Sequence, residues 1–295
     1  MRNTEYTMPT ITVGMPVYNG ERYAEESIRS VLAQTFEDFE FLISDNGSTD
    51  RTADICRDYA AKDKRIIYIH NAANIGASAN YNLLYERATA PYFRWSNADD
   101  LLAPTLHEKC LTALEASPGA VLAAGTTVLI DANGEETGEW DDNLHLIQAT
   151  PSARLRAFFE RVNLTNVIYG LMRREALGHT DLMGDGTVPA ADTILMGQLV
   201  LSGQFIQIPE PLFYRRMHQE SSSANRDDTK QQEAFWSAGA GAFSRPGWRT
   251  LAAYLRGISN APVDAREALS LYALMLRQAW MTKRRLCAEL IRPKC

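Results

Sequence analysis

The sequence predicts an α/β fold with a mixed, mostly parallel central sheet flanked by helices, followed by a helical C-terminal extension. Three observations carry this expectation. Short apolar runs alternate with helix-period segments through the first half of the chain, each of those runs ends in turn or polar residues, and long helical patterns replace the alternation from Gln231 onward. With 295 residues, 45% hydrophobic and 22% charged, the composition is that of a folded protein with a sizeable core, which excludes wholesale disorder. The expected division is a sheet-bearing unit over residues 1–228 and a helical extension over 229–295.

Four strands are expected at 11–15, 39–44, 66–70 and 92–96, each short and rich in β-branched or aromatic residues. Between the first two, a helix over 22–34 sets Ile28, Val31 and Leu32 on one face. The next helix opens where Ser48 or Thr49 can cap it, and turns Ala53, Cys56, Tyr59 and Ala60 inward. A third is expected over 77–87, and a fourth opens near Pro104, whose ring suits a first turn. Past Ala120 the segments 121–124 and 126–130 and the turn Asp131-Ala-Asn-Gly134 read as hairpins, hence the mixed sheet. A strand at 168–173, a helix at 190–202 and strands at 205–208 and 212–215 complete the sheet unit, and 219–228 reads as a mobile polar loop. Helical patterns at 231–258 and 264–291 are separated by Asn260-Ala-Pro262.

The net charge of −6 argues against a surface built to cover nucleic acid. Residues 1–10 lack an apolar secretory leader, so the expected compartment is the cytoplasm. Cys56, Cys110, Cys287 and Cys295 are scattered without a C-x-x-C spacing, which fits neither a zinc site nor a disulfide framework. The longest charge-free run, 193–209, carries Gln198, Gln204 and Gln207, costly in a bilayer core.

Ligands of open α/β sheets bind beyond the carboxyl ends of the strands. Those ends run into Pro16-Val-Tyr-Asn-Gly20, Asp45-Asn-Gly-Ser-Thr-Asp50, Asn74-Ile-Gly76 and Asn97-Ala-Asp-Asp100. In this order, over about residues 10–223, the segments resemble the family 2 glycosyltransferases. The resemblance implies a GT-A fold and inverting sugar transfer from a nucleotide donor, a UDP-sugar being favoured. It implies a nucleotide site made of Pro16, Tyr18, Asn19, Asp45, Gly47, Asn74, Gly76, Asn97, Ala98 and Asp99.

Asp45 follows a buried strand at a point where a carboxylate can accept the imide hydrogen of a uracil-like base, the use the resemblance implies; Asp45 or Asp50 can also be read as a helix cap, which suits Asp50 better. Tyr18 reads as a base-stacking or a packing aromatic. Gly47 suits close approach to a ligand or an ordinary turn. Asn46 stands where the family often has a second aspartate, and Asn80 where an arginine is frequent. Adjacent carboxylates at Asp99 and Asp100 repel unless a cation or hydrogen bonds compensate. The family's Asp-x-Asp pattern falls on Asn97-Ala-Asp99, implying Mg2+ or Mn2+ with Asp99 as principal ligand. Asp100 then faces the donor sugar or holds the loop; the alternative is a cap ahead of Pro104.

Tyr214-Arg215-Arg216-Met217-His218, followed by serines 221–223, resembles the family's Tyr-Arg-x-His segment. This implies Arg216 at the diphosphate, the donor sugar or the loop, and His218 at the metal or a phosphate. Side-chain type alone reads equally as a surface arginine pair and an ordinary histidine. Asp192, in Pro189-Ala-Ala-Asp192, sits where the family often presents an acidic pair and is expected to be the catalytic base, with helix capping as the competing role and Asp185 and Asp181 as substitutes.

The expected acceptor is a hydroxyl of a glycan or glycolipid in cell-surface polysaccharide synthesis. Transfer to a polyprenyl phosphate and sugar-nucleotide binding without catalysis are the alternatives. No Gly-x-Gly-x-x-Gly turn follows the first strand, no Walker A lysine motif occurs, and the Gln-x-x-Arg-Trp signature of processive synthases is missing. Near the C-terminus Leu269, Leu271, Tyr272, Leu274, Met275, Leu276, Trp280 and Met281 precede Lys283-Arg-Arg285. That segment reads either as a peripheral docking element for the inner face of an anionic membrane, or as a helix packed on its own domain or on a second subunit.

Overall fold

The structure is a computed structural model that describes residues 8–188, 190–219, 229–237 and 245–291. Its first half is a run of strand–helix units: β1 (Ile11–Val17), α1 (Ala24–Leu32), β2 (Phe39–Asp45), α2 (Thr52–Lys62), β3 (Ile66–His70), α3 (Ala77–Arg87) and β4 (Tyr92–Trp95). These four strands are mutually parallel, in the order β3-β2-β1-β4. The buried run of β1 explains its central place: Ile11, Thr12, Val13 and Met15 are all sealed from solvent, so both faces of the strand are covered. Gly14 lets α3 settle on β1, because a Cβ there would stand 3.0 Å from that of Leu84. Burying Leu84 in this way stabilises by roughly 1.5–3 kcal/mol.

The second half adds β5 (Leu101–Leu102), α4 (Leu106–Ala116), β6 (Ala120–Ile130), β7 (Glu136–Trp140), α5 (Pro151–Arg161), β8 (Leu171–Arg173), α6 (Arg174–Leu177), α7 (Ala191–Ser202) and β9 (Gln204–Arg216). Among the described residues the sheet runs β3-β2-β1-β4-β8-β6-β9-β5, with β7 on β6. Antiparallel pairing of β8 with β4 and β6, and parallel pairing of β6 with β9, make it mixed. The helices α8 (Thr229–Trp236), α9 (Pro246–Asn260), α10 (Ala265–Met281) and α11 (Lys283–Ile291) follow.

Several expected elements differ. Segments 121–124 and 126–130 are one strand, since Gly125 continues β6: a Cβ there would lie 2.6 Å from the Glu210 carbonyl of β9, so glycine serves close pairing instead of a turn. The two strands expected at 205–208 and 212–215 are likewise one, β9. The strand expected at 168–173 splits into a 3-10 turn, Asn166–Tyr169, and the short β8. Pro104 precedes α4 instead of opening it, and α2 starts at Thr52, with Asp50 accepting from the Thr52 amide at 3.0 Å in place of a Ser48 or Thr49 cap. Helix α5 was not expected, although Thr150 caps it and Pro151 opens its first turn.

Helices cover both faces of the sheet. On one, α1, α2 and α4 contribute Ile28, Cys56 and Leu114 against Val13, Phe41 and Ile43. On the other, α3, α5, α7, α9 and α10 contribute Leu84, Phe158, Leu195, Tyr254 and Leu271 against Leu42, Phe93 and Leu122. Helices after residue 228 therefore share a core with the sheet. The crossing of α7 and α9 is close because both carry glycine at the contact: a Cβ on Gly197 would meet Tyr254 at 2.6 Å, and one on Gly257 would meet Gln198 at 2.5 Å. Cys56 and Cys110 are buried free thiols and Cys287 is an exposed one. Among the described residues no helix is long and apolar enough to cross a membrane.

Candidate active site

Strand register brings the expected segments together. Val17 pairs with Asp45 and Asp45 with His70, so the loops leaving β1, β2 and β3 emerge side by side. Side chains knit these loops: the Asn19 amide donates to Ser48 Oγ at 2.9 Å, Asn19 Oδ1 accepts from the Thr49 amide at 2.9 Å, and Gly20 donates to Thr52 Oγ1 at 2.8 Å. Asn19 adopts a left-handed φ of 48° and Gly47 one of 74°. At Gly47 a Cβ would stand 2.8 Å from the Ala73 carbonyl carbon, so this glycine serves a contact between two loops of the chain itself.

Asp45 is fully buried. It accepts from the Ser48 amide at 2.9 Å and the Tyr68 hydroxyl at 2.8 Å, and its Oδ2 lies 3.3 Å from His70 Nδ1. Burial works to raise its carboxyl, but hydrogen bonds from Ser48, Tyr68 and His70 outweigh burial and hold it below the ordinary value. The oxygens expected to meet a base are thus covered by Tyr68 and His70, and the His70 side chain, 46% exposed, forms the rim. Beside them Asn46 and Asn74 brace the third loop: Asn46 Nδ2 donates to Asn74 Oδ1 at 3.0 Å, which also accepts the Gly76 amide at 2.8 Å. Asn80 is buried on Ser44, accepting from its hydroxyl at 2.6 Å and donating to its carbonyl at 3.0 Å. The Tyr18 ring stays exposed at the same edge.

The loop after β4 is clamped onto the end of β9. Arg216 donates from its backbone to Asp100 Oδ1 at 2.8 Å, from Nε to the Asp99 carbonyl at 2.8 Å, from Nη1 to the Asp131 carbonyl at 3.2 Å and from Nη2 to Glu26 at 2.7 Å. Its guanidinium also lies over Tyr23. This side chain is only 1% exposed, and the partners it has in the fold are the loop after β4, Asp131 and Glu26. Asp100 holds the same loop, and burial together with the Asp99 charge pushes its carboxyl well above the ordinary range. Asn97 accepts from Tyr81 at 2.5 Å and donates to Tyr169 at 2.6 Å and Asp100 at 3.0 Å, leaving Ala98 and Asp99 at the tip.

Asp99 and His218 converge at that tip, with Oδ2 and Nε2 3.0 Å apart and the Asp99 side chain 30% exposed. The contact is a hydrogen bond as it stands, and an imidazole nitrogen with a carboxylate oxygen is a pair of donor types that a divalent cation accepts. No group of three or more His, Cys, Asp or Glu side chains able to hold a metal occurs among the described residues. Serines 221–223, part of the expected motif, lie outside the described residues, as does the expected loop beyond Gln219.

Asp192 lies in the first turn of α7 and accepts the Thr193 amide at 2.7 Å. The buried Tyr169 phenol is pushed up first by burial and further by the charges of Asp100 and Asp192. Of the two substitutes, Asp181 is engaged by Arg256 at 3.0 Å and Gln198 at 3.1 Å, and Asp185 by the Thr187 amide at 3.0 Å. A cavity of about 330 Å³ borders the start of α7, lined by Asp181, Asp185, Ala191, Ile194, Arg249 and Arg256.

Residues 12–179 match the family profile described as Glycosyl transferase family 2. The chain belongs to this family. An uncharacterized glycosyltransferase of Methanocaldococcus jannaschii is 36% identical over 132 residues, 44% of this chain and 46% of that one. An uncharacterized glycosyltransferase of Haemophilus influenzae is 30% identical over 179 residues, 59% and 69% respectively. The crystal structure of S. aureus TarS 1-349 in complex with UDP-GlcNAc superposes with a TM-score of 0.65 at 16% identity, covering 92% of this chain and 73% of that one. The mannosyltransferase PcManGT from Pyrobaculum calidifontis, in complex with GDP-Man and Mn2+, gives 0.55 at 16% identity, with 97% and 86% covered. These likenesses show the GT-A fold.

In this family 2 glycosyltransferase, residues outside the motifs complete the site. Glu26 holds Arg216, Ser27 donates to the Asn97 carbonyl at 2.7 Å, Tyr81 and Tyr169 fix Asn97, and Tyr68 and His70 cover Asp45. A signal existed for Ser27, a polar residue on the inward face of α1. None existed for Tyr169, which reaches the loop only through the sheet.

Proposed function

We propose that this glycosyltransferase moves a sugar from a nucleotide-diphosphate donor, preferentially a UDP-sugar, to a hydroxyl of a glycan or lipid-linked glycan in cell-surface polysaccharide assembly, inverting the anomeric carbon. The observation that carries the reading is the Asp99–His218 pair, 3.0 Å apart at the mouth of the strand-end rim. The donor complexes of the two fold neighbours, UDP-GlcNAc in one and GDP-Man with Mn2+ in the other, support a sugar nucleotide as ligand. Catalysis is assigned to residues 1–228, with 229–295 as a supporting extension.

The base lies against Tyr18, Tyr68 and His70, and reaches Asp45 only as Tyr68 and His70 swing off its oxygens. Asn97, Asp100 and Arg216 keep the loop after β4 still, so that Asp99 and His218 meet the diphosphate in one geometry. A divalent cation held by Asp99 and His218 would offset charge on the departing nucleoside diphosphate. Asp192 takes the proton of the acceptor hydroxyl as it attacks the anomeric carbon, and direct displacement inverts that carbon. The acceptor enters through the cavity beside the start of α7.

Titration calorimetry with UDP and a transfer assay test this reading. Chelation abolishes transfer, and Asp99→Asn loses the gain in UDP affinity that Mn2+ confers on the parent. Asp192→Asn folds and binds UDP as the parent does, with turnover reduced by about 10²-fold or more. Parent-rate transfer by a folded Asp192→Asn protein removes that residue as base, and Mn2+-independent UDP affinity in the parent removes the metal.

A further inference from the structure

Helix α10 is bound on one side and bare on the other. Leu271, Leu274 and Met275 are buried in the core shared with the sheet, and Glu267 turns inward to accept the Ser152 amide at the start of α5. On the outer side Leu269, Leu276 and Trp280 are 70%, 72% and 68% exposed, and Met281, in the last turn, is 70% exposed. At the helical repeat, Ala265, Leu269, Ala273, Leu276 and Trp280 fall within a sector of about 80°. Arg266 and Arg277, both exposed, edge this strip, and Lys283 and Arg284 stand at its C-terminal end. The Lys283 ammonium lies 3.6 Å from the centroid of the Trp280 ring.

From Ala265 to Arg284 Glu267 is the only acidic residue, and it is committed to Ser152, so the outward face is purely cationic in a chain whose net charge is −6. We infer that this face of α10 docks the enzyme on an anionic lipid bilayer. An apolar strip edged by cations gains from burial among acyl chains and from attraction to anionic headgroups together. An indole beside an ammonium suits the headgroup depth, where one end of the ring is apolar and the other wet. A second copy of this chain fits the strip less well: pairing like faces sets Arg266 and Arg277 among cations, and from Asp264 to Arg284 only the capping Asp264 offers an exposed carboxylate.

Co-sedimentation of the full chain with vesicles tests this without any transfer assay, so its outcome is independent of the function proposed above. The parent should sediment with phosphatidylcholine vesicles containing phosphatidylglycerol, should not sediment with phosphatidylcholine alone, and should be released by salt. The paired substitutions Leu276→Glu with Trp280→Glu, and Arg266→Gln with Arg277→Gln, should each weaken partitioning at least about tenfold, with melting temperature and UDP affinity unchanged. Failure of the parent to bind anionic vesicles, equal binding to both vesicle types, or parent-like binding by both folded variants overturns the inference. So does light scattering that shows a parent dimer dispersed by the Leu276→Glu with Trp280→Glu pair while lipid has no effect.

Discussion

Asn46 is buried with its amide donating to Asn74 Oδ1 at 3.0 Å and the Gly76 carbonyl at 3.4 Å, while its own oxygen accepts from the Ile75 amide at 3.0 Å and Asn71 at 3.3 Å. A carboxylate would keep the acceptor half of this arrangement and lose both donors, setting a buried charge against two oxygens. Asn46→Asp should therefore cost about 1–3 kcal/mol near neutral pH, and less in acid, where a protonated carboxyl regains one donor. Urea midpoints at the two pH values check this, and equal midpoints for parent and variant at neutral pH contradict it. Arg216 makes the same point for cations: every guanidinium nitrogen is engaged within the fold, and Nε holds the Asp99 carbonyl in place.

At the scale of elements, the turn Asn166–Tyr169 carries Tyr169 to Asn97 and is itself clipped to the segment after β7. Asp142 makes the clip, accepting Trp140 Nε1 at 3.0 Å and the Val167 amide at 2.9 Å. Burial pushes its carboxyl up to about 6, from an ordinary value of about 3.9. Between those values the folded state binds the proton more tightly than the unfolded chain. The contribution of Asp142 to stability is therefore most favourable below the unfolded value and declines as pH rises through the folded one. Asp142→Asn removes this slope, so its stability relative to the parent should climb from pH 4 to pH 6. A difference in urea midpoint that is flat across that window would reject the assignment.

For the molecule as a whole, the decisive feature is that α9 and α10 complete the core on one face of the sheet. Leu271 of α10 is fully buried there. Leu271→Ala should cost about 2–5 kcal/mol and shift one cooperative unfolding transition, read alike by far-ultraviolet circular dichroism and by tryptophan fluorescence. An early transition confined to helical signal, with the sheet melting as in the parent, would show that the extension unfolds by itself.

The parallel half of the sheet and the loops at its strand ends were legible in the sequence, because they rest on local chemistry. Apolar runs bounded by turn residues mark β1 to β4, α3 falls at the bounds expected between two of them, and the motifs sit directly after the strands. Tertiary structure alone decided the remainder. Gly125 reads as a turn until β9 pairs alongside, and Arg216 reads as a free cation until Glu26, distant in sequence, reaches it across the fold. Likewise Asp45 reads as an open acceptor until Tyr68 and His70 arrive from β3. The reason is physical: periodicity and turn chemistry act between residues a few positions apart, whereas the occupancy of a hydrogen-bonding group depends on every segment that folding brings within 3 Å or so of it.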